Sequence, residues 1–203
     1  MKPEDIERKS MAIIDGRAPQ TNLSPAEYRI ARRMVHTTAD FNFFENVRFH
    51  PRAVAAGLEA LAQGRSVAAD TNMLKAGLTR LPRGVEVVVR TAEEATRQEA
   101  ARLGLTRSAM AMRRSVKEME GGIVAIGNAP TALLEVIRMV REGQASPGLI
   151  VGLPVGFVMA AESKEELLGL DCPYITAVGE KGGSPVAAAV LNALALLLDR
   201  AKD

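Results

Sequence analysis

The sequence predicts an α/β fold: a parallel sheet of about five strands, covered by helices on both faces, with a helical extension ahead of the first strand. Two patterns predict it. Short apolar or β-branched runs recur at Ser66–Ala69, Val85–Val89, Gly122–Ile126, Leu149–Leu153 and Tyr174–Val178. They do not alternate with polar residues, as strands with one wet face do, so both faces should be buried. Helical patterns separate the runs, over about 72–80, 92–102, 107–119, 129–142, 162–169 and 185–201, and strands alternating with helices give a parallel sheet. A chain of 203 residues that is 47% hydrophobic suits one domain with a real core. No linker, internal repeat or low-complexity stretch divides it, so residues 1–203 are read as a single domain.

The first element is a helix over 3–14, with Pro3 at its start and Glu4 and Asp5 in its first turn. Ile6, Ser10, Ile13 and Ile14 share a face, which puts one hydroxyl on an apolar stripe. Ser10 either bonds the carbonyl one turn back or points into a cavity. Asp15-Gly16-Arg17-Ala18-Pro19 ends the helix. Ser24-Pro25-Ala26-Glu27 opens the next as a capping box with proline at the first helical position. Along it Arg29, Arg32, Arg33 and His36 fall on one face, with Tyr28, Ala31, Met34 and Val35 opposite. That stripe is either a solvated basic face or a histidine able to move a proton beside an anion. Four of the five phenylalanines follow between residues 41 and 49. They suit a core corner, the wall of a pocket for a flat ligand, or an interface. His50 precedes Pro51 and a helix over about 52–63, and has no assigned role.

In open parallel sheets, ligands gather at the carboxyl ends of strands. Here those ends read Asp70-Thr71-Asn72, Gly127-Asn128-Ala129-Pro130, Gly152-Leu153-Pro154-Val155-Gly156-Phe157 and Gly179-Glu180-Lys181-Gly182-Gly183-Ser184-Pro185. Asn128 and Ser184 are expected to cap the helices that follow, whose free N–H groups attract anions. Ordinary turn chemistry is the alternative. Asn128, Lys181 and Ser184 are the candidate binding residues of this rim. Thr106 is an expected N-cap, which puts Arg107 in a first helical turn. There it opposes the helix dipole unless it pairs with a carboxylate ligand.

Composition excludes several classes. A net charge of +2 is too small for a bulk nucleic-acid binder, and 3% aromatics without Trp offer no stacking platform. Cys172 is the lone cysteine, so no internal disulfide or Cys/His metal spacing exists, and a reducing cytoplasm is the expected compartment. Met1-Lys2-Pro3-Glu4-Asp5 leads into no apolar signal region. The most apolar stretches, 148–161 and 186–198, are too short to span a membrane. No Gly-x-Gly-x-x-Gly follows the first strand and no Gly-x-x-x-x-Gly-Lys-Ser/Thr occurs, which argues against a dinucleotide fold and a P-loop.

Six segments carry a family resemblance: Glu7-Arg8-Lys9-Ser10-Met11-Ala12-Ile13-Ile14, Arg33-Met34-Val35-His36, Thr106-Arg107-Ser108-Ala109, Val124-Ala125-Ile126-Gly127-Asn128-Ala129-Pro130-Thr131-Ala132-Leu133, Val151-Gly152-Leu153-Pro154-Val155-Gly156-Phe157-Val158 with Ala160-Ala161-Glu162-Ser163-Lys164, and Lys181-Gly182-Gly183-Ser184 with Ala187-Ala188-Ala189. Together, over about residues 4–198, they resemble the precorrin-8X (or cobalt-precorrin-8) methylmutases of cobalamin biosynthesis. The resemblance implies a flavodoxin-like α/β/α fold. It implies transfer of a methyl group from C11 to C12 of a ring-contracted tetrapyrrole, with no cofactor, any cobalt belonging to the substrate. It places the general acid on His36 and substrate contacts on Ser10, Arg33 and Arg107. It further implies a homodimer with sites near the interface, with possible hand-over of product to the next pathway enzyme, and no nucleic-acid or membrane partner. A tetrapyrrole carrier and an unrelated nucleotide-binding flavodoxin-like protein are the competing readings.

Overall fold

In the computed structural model, which describes residues 3–200, the chain opens with α1 (Pro3–Arg17) and α2 (Pro25–Thr38). The capping box forms as expected: Ser24 Oγ accepts from the Glu27 N–H at 3.4 Å, and Glu27 Oε2 accepts from the Ser24 N–H at 2.8 Å. Then come α3 (Phe43–Asn46), β1 (Val47–Phe49), α4 (Ala53–Ala62), β2 (Val67–Ala69), α5 (Asn72–Gly77) and β3 (Val87–Val88). The second half runs α6 (Glu94–Leu103), α7 (Arg107–Arg114), α8 (Val116–Met119), β4 (Ile123–Ile126), α9 (Pro130–Arg141), β5 (Leu149–Gly152), α10 (Ala160–Leu168), β6 (Tyr174–Ala177) and α11 (Ser184–Arg200). The expected last residue of that final helix, Ala201, lies outside the described residues.

The sheet is ordered β1-β6-β5-β4-β2-β3. The five expected strands are all parallel, and in their own order they read 2-1-3-4-5, the flavodoxin arrangement. The sixth strand, β1, was not expected. It pairs antiparallel with β6, Val47 opposite Ala177 and Phe49 opposite Ile175. Three residues are too few to show a period, and an aromatic cluster masked them. A second difference is Ser115, whose hydroxyl bonds back to the Ala111 carbonyl at 2.9 Å and whose backbone leaves the helix. The single helix expected over 107–119 is therefore α7 and α8.

Alternate strand residues feed two cores. Val67, Ala69, Ile123, Ala125, Leu149, Val151, Ile175 and Ala177 face the layer of α2, α4, α5 and α11. Ala68, Val124, Ile126, Ile150 and Tyr174 face α7, α9 and α10. The phenylalanines divide likewise. Phe43 and Phe44 are buried, and Phe44 stacks on Tyr28 at 5.2 Å between centroids, so these two form the core corner. Phe41 is half-buried beneath the Arg17 guanidinium, 4.7 Å from the ring centroid.

Candidate active site

Two arginines of the α2 stripe, Arg32 and Arg33, meet α1, while Arg29 stays exposed. Arg32 Nη1 donates to Asp15 Oδ2 at 2.7 Å, and Arg33 Nη1 donates to Glu7 Oε1 at 2.6 Å. The Arg33 hydrogen bond and charge hold the Glu7 carboxyl below its ordinary value, helped by the charges of Arg80 and His36. Ser10 Oγ lies 3.0 Å from His36 Nδ1. The hydroxyl that could have bonded its own helix crosses to the histidine instead.

His36 stands between two grooves. One, of about 460 Å³, lies where α1, α2, α11 and the segment after α5 converge; Ile6, Glu7, Arg33, His36, Arg80 and Asn192 line it. The other, of about 350 Å³, is more apolar and is lined by Ser10, Ile13, Val35, His36 and Phe41. Their sizes are those of small-molecule sites. With Nδ1 held by Ser10, the unbonded ring nitrogen is Nε2, available to a ligand. A hydroxyl can donate to a neutral ring and accept from a charged one, so this bond survives either protonation state.

The carboxyl rim of the sheet is built differently from expectation. Asn128 does not cap α9; the residue at that position, Ala129, offers no side-chain bond. The buried carboxylate of Asp70, at the end of β2, replaces a cap. Its Oδ2 accepts from the N–H groups of Asn128 at 2.7 Å and Ala129 at 3.0 Å. The donors expected to receive an anion from outside already hold one from within. Burial nonetheless pushes the Asp70 carboxyl above the ordinary range, against the backbone donors. Ser184 is likewise no cap. It is buried as the first residue of α11, with Oγ 2.9 Å from Thr71 Oγ1. Gly127 explains the close fit there, since a Cβ on it would sit 2.5 Å from Ser184 Cα. The sequence gives no local signal for Asp70's role, because its partners are far along the chain.

Lys181 is exposed and pairs with Asp40, just past α2, at 2.5 Å. This contact ties the loop before α11 to the end of α2 that carries His36. The same loop is held from below by Lys164, which is 1% exposed and donates to the Lys181 carbonyl at 2.7 Å. Burial lowers the Lys164 pKa to about 8. Thr106 caps α7 as expected, accepting from Ala109 N–H at 3.1 Å, and its hydroxyl lies 2.8 Å from Thr131 Oγ1. Arg107, the first residue of α7, is exposed and lines neither His36 groove. Ser10, Arg33 and His36 are thus brought together, with Lys181 tied to the same helix end, while Arg107, Asn128 and Ser184 belong to other parts of the rim. Glu7 and Arg80 are cleft residues the sequence did not single out.

Residues 5–197 match the family model described as precorrin-8X methylmutase. The chain is 46% identical over 202 residues to the cobalt-precorrin-8 methylmutase of Priestia megaterium, spanning 98% of this chain and 90% of that protein. It is 41% identical over 195 residues to the precorrin-8X methylmutase of Pseudomonas aeruginosa, spanning 94% and 93%. A solved structure of precorrin-8x methyl mutase from Thermus thermophilus superimposes with a TM-score of 0.91 at 37% identity, over 98% of this chain and 97% of that one.

Proposed function

The chain belongs to the precorrin-8X methylmutase family, and from that premise we propose how its residues carry out the family's reaction. It is an isomerase of cobalamin biosynthesis that takes precorrin-8X, or its cobalt-bearing counterpart, to hydrogenobyrinate or cobyrinate. In this reading the methyl group leaves C11 and bonds to C12 in an acid-assisted 1,5-sigmatropic shift. No atom is gained or lost. His36 lends a proton from Nε2 to a ring nitrogen near the migration terminus, so the π-system accepts the rearranged electrons more readily. The observation that carries the assignment is the Ser10–His36 bond at 3.0 Å, which leaves Nε2 as the free nitrogen of a ring that lines both grooves.

The substrate is fringed with carboxylates and apolar on its faces. Arg33 is suited to the first, and Ile6, Ile13 and Phe41 to the second. Arg107 and the rim residues Asn128, Lys181 and Ser184 complete the proposed binding set: Arg107 and Lys181 by charge, Asn128 by its exposed side chain, and Ser184 by holding α11 in place. A homodimer is part of the reading, with the sites near its interface. Exposed apolar residues support it, namely Ile6 and Ile13 on α1 and Phe157 and Val158 after β5. We further read residues 1–203 as one domain, working in the cytoplasm and passing its product to the next corrin enzyme. Among the described residues no helix is long and apolar enough to cross a membrane.

Replacing His36 tests the mechanism. Turnover, followed by the visible absorbance change from substrate to product, should fall about 10²–10⁴-fold in His36→Ala while product binding persists. Near-normal turnover would overturn the acid assignment, and loss of both turnover and binding would make His36 a ligand-positioning residue.

A further inference from the structure

The His36 groove on the α11 side is lined by two guanidinium groups, those of Arg33 and Arg80. Arg33 already has a protein carboxylate, Glu7, at 2.6 Å. Among the described residues Arg80 has none within ion-pair distance, although its charge reaches Glu7 strongly enough to help lower that carboxyl's pKa. An unpaired arginine on an ordinary loop would be a mobile surface charge. Arg80 is not on an ordinary loop. Asn192, on α11, accepts from the N–H of Thr79 at 3.1 Å and of Arg80 at 3.2 Å through Oδ1, and its Nδ2 donates to the Gly77 carbonyl at 2.8 Å. One amide side chain thus satisfies three main-chain groups at and just past the end of α5 and fixes the point from which the Arg80 side chain departs. Polar groups in a half-buried side chain that are spent wholly on a short loop are costly to arrange, and here they place a cation beside the acid–base pair.

We propose that Arg80 takes up a carboxylate arm of the macrocycle next to His36, and that Asn192 is the positioning residue that aims it there. The assignment rests on the reading of the groove as a carboxylated-tetrapyrrole site. Arg33 has donors beyond the Nη1 that it spends on Glu7, but its charge is already matched there, whereas Arg80 pairs with an incoming carboxylate at no cost to an existing contact. A planar guanidinium also fixes the arm by two parallel hydrogen bonds, which orients the ring over Nε2.

The test compares Arg80→Ala, Arg80→Lys, Asn192→Ala, Asn192→Asp and the double variant Arg80→Ala/Asn192→Ala, using turnover of the substrate and equilibrium binding of the corrin product. Arg80→Ala should raise KM and the product Kd about 10-fold or more, the larger part of the loss falling in KM, since a ground-state contact is removed. Arg80→Lys should recover part of the affinity, because it keeps the charge and loses the fork. Asn192→Ala should weaken binding in the same direction and add nothing in the Arg80→Ala background. Asn192→Asp keeps the acceptor for both N–H groups and should lie closer to the wild type. A product whose carboxylates have been amidated should bind the wild type and Arg80→Ala alike. Wild-type-like KM and Kd in Arg80→Ala would overturn the assignment, and additive losses in the double variant would overturn the role of Asn192. A wild-type chain that neither binds nor converts the macrocycle would sink the groove reading and this assignment together. One that does both, with Arg80→Ala indistinguishable from it, would sink this assignment alone.

Discussion

Ser10→Ala removes one atom from the proposed acid–base pair and leaves the fold a good helix former in place of a serine. The atom lost is the Oγ that lies 3.0 Å from His36 Nδ1. A hydrogen bond between uncharged partners contributes about 0.5–1.5 kcal/mol net. At about 1.4 kcal/mol per factor of ten, that is roughly a 2- to 12-fold effect. The bond's proposed work is to hold the ring's orientation and leave Nε2 free for the ligand, so its loss should appear in kcat. Affinity for the product should hardly change. The expected fall in kcat is therefore about 2- to 12-fold, far smaller than for His36→Ala, and Ser10→Ala should cost nothing further in the His36→Ala background. The assay is steady-state turnover by visible absorbance, with product titration alongside. Unchanged kcat would refute the reasoning. So would a loss as large as that of His36→Ala, because a bond of this strength cannot supply it. A loss confined to binding would instead make Ser10 a direct substrate contact.

Two further outcomes follow from the geometry. Arg107→Ala should weaken product binding by about 1.5–3 kcal/mol, the worth of a hydrogen bond to a charged group, with thermal stability unchanged; unchanged affinity with lost stability would make it structural. The buried Lys164 predicts a pH dependence of stability measured by urea unfolding. Its pKa is about 8 in the fold against an ordinary 10.5, so between those values the unfolded chain binds more protons than the folded one. Stability should therefore rise as pH climbs from about 8 towards 10.5, and Lys164→Met should abolish that rise. An identical pH profile in Lys164→Met would refute the attribution.

Local signals in the sequence are legible where the partners are neighbours in the chain. The Ser24–Glu27 capping box, the Thr106 cap and the buried parallel strands all depend on residues within one or two turns or on an apolar run. The stripe ending in His36 was also legible as a stripe, but its fate was not. Whether Arg32 and Arg33 meet water or Asp15 and Glu7 depends on how α1 lies across α2, which no periodicity encodes. The two mistaken caps have the same origin. Asn128 and Ser184 have the residue types that cap helices, yet Asp70, far back in the chain, takes the first helix end, and Thr71 takes the hydroxyl of Ser184. Asn192 was invisible for this reason too: a single amide on an apolar helix announces nothing until the segment from Gly77 to Arg80 is folded against it.

Lys164 and Asn192 have a common property with an evolutionary consequence. Each is addressed to main-chain atoms: one to the carbonyl of Lys181, the other to Gly77, Thr79 and Arg80. Main-chain atoms are the same for every residue but proline, which lacks the N–H, so these anchors hold their loops whichever other side chains the loops carry. Mutation at positions 79 or 80 can then alter the charge and size presented to a ligand without loosening the scaffold beneath. Lineages are free to retune the periphery of the site one residue at a time, while the two anchoring side chains bear the constraint on behalf of the segments they hold.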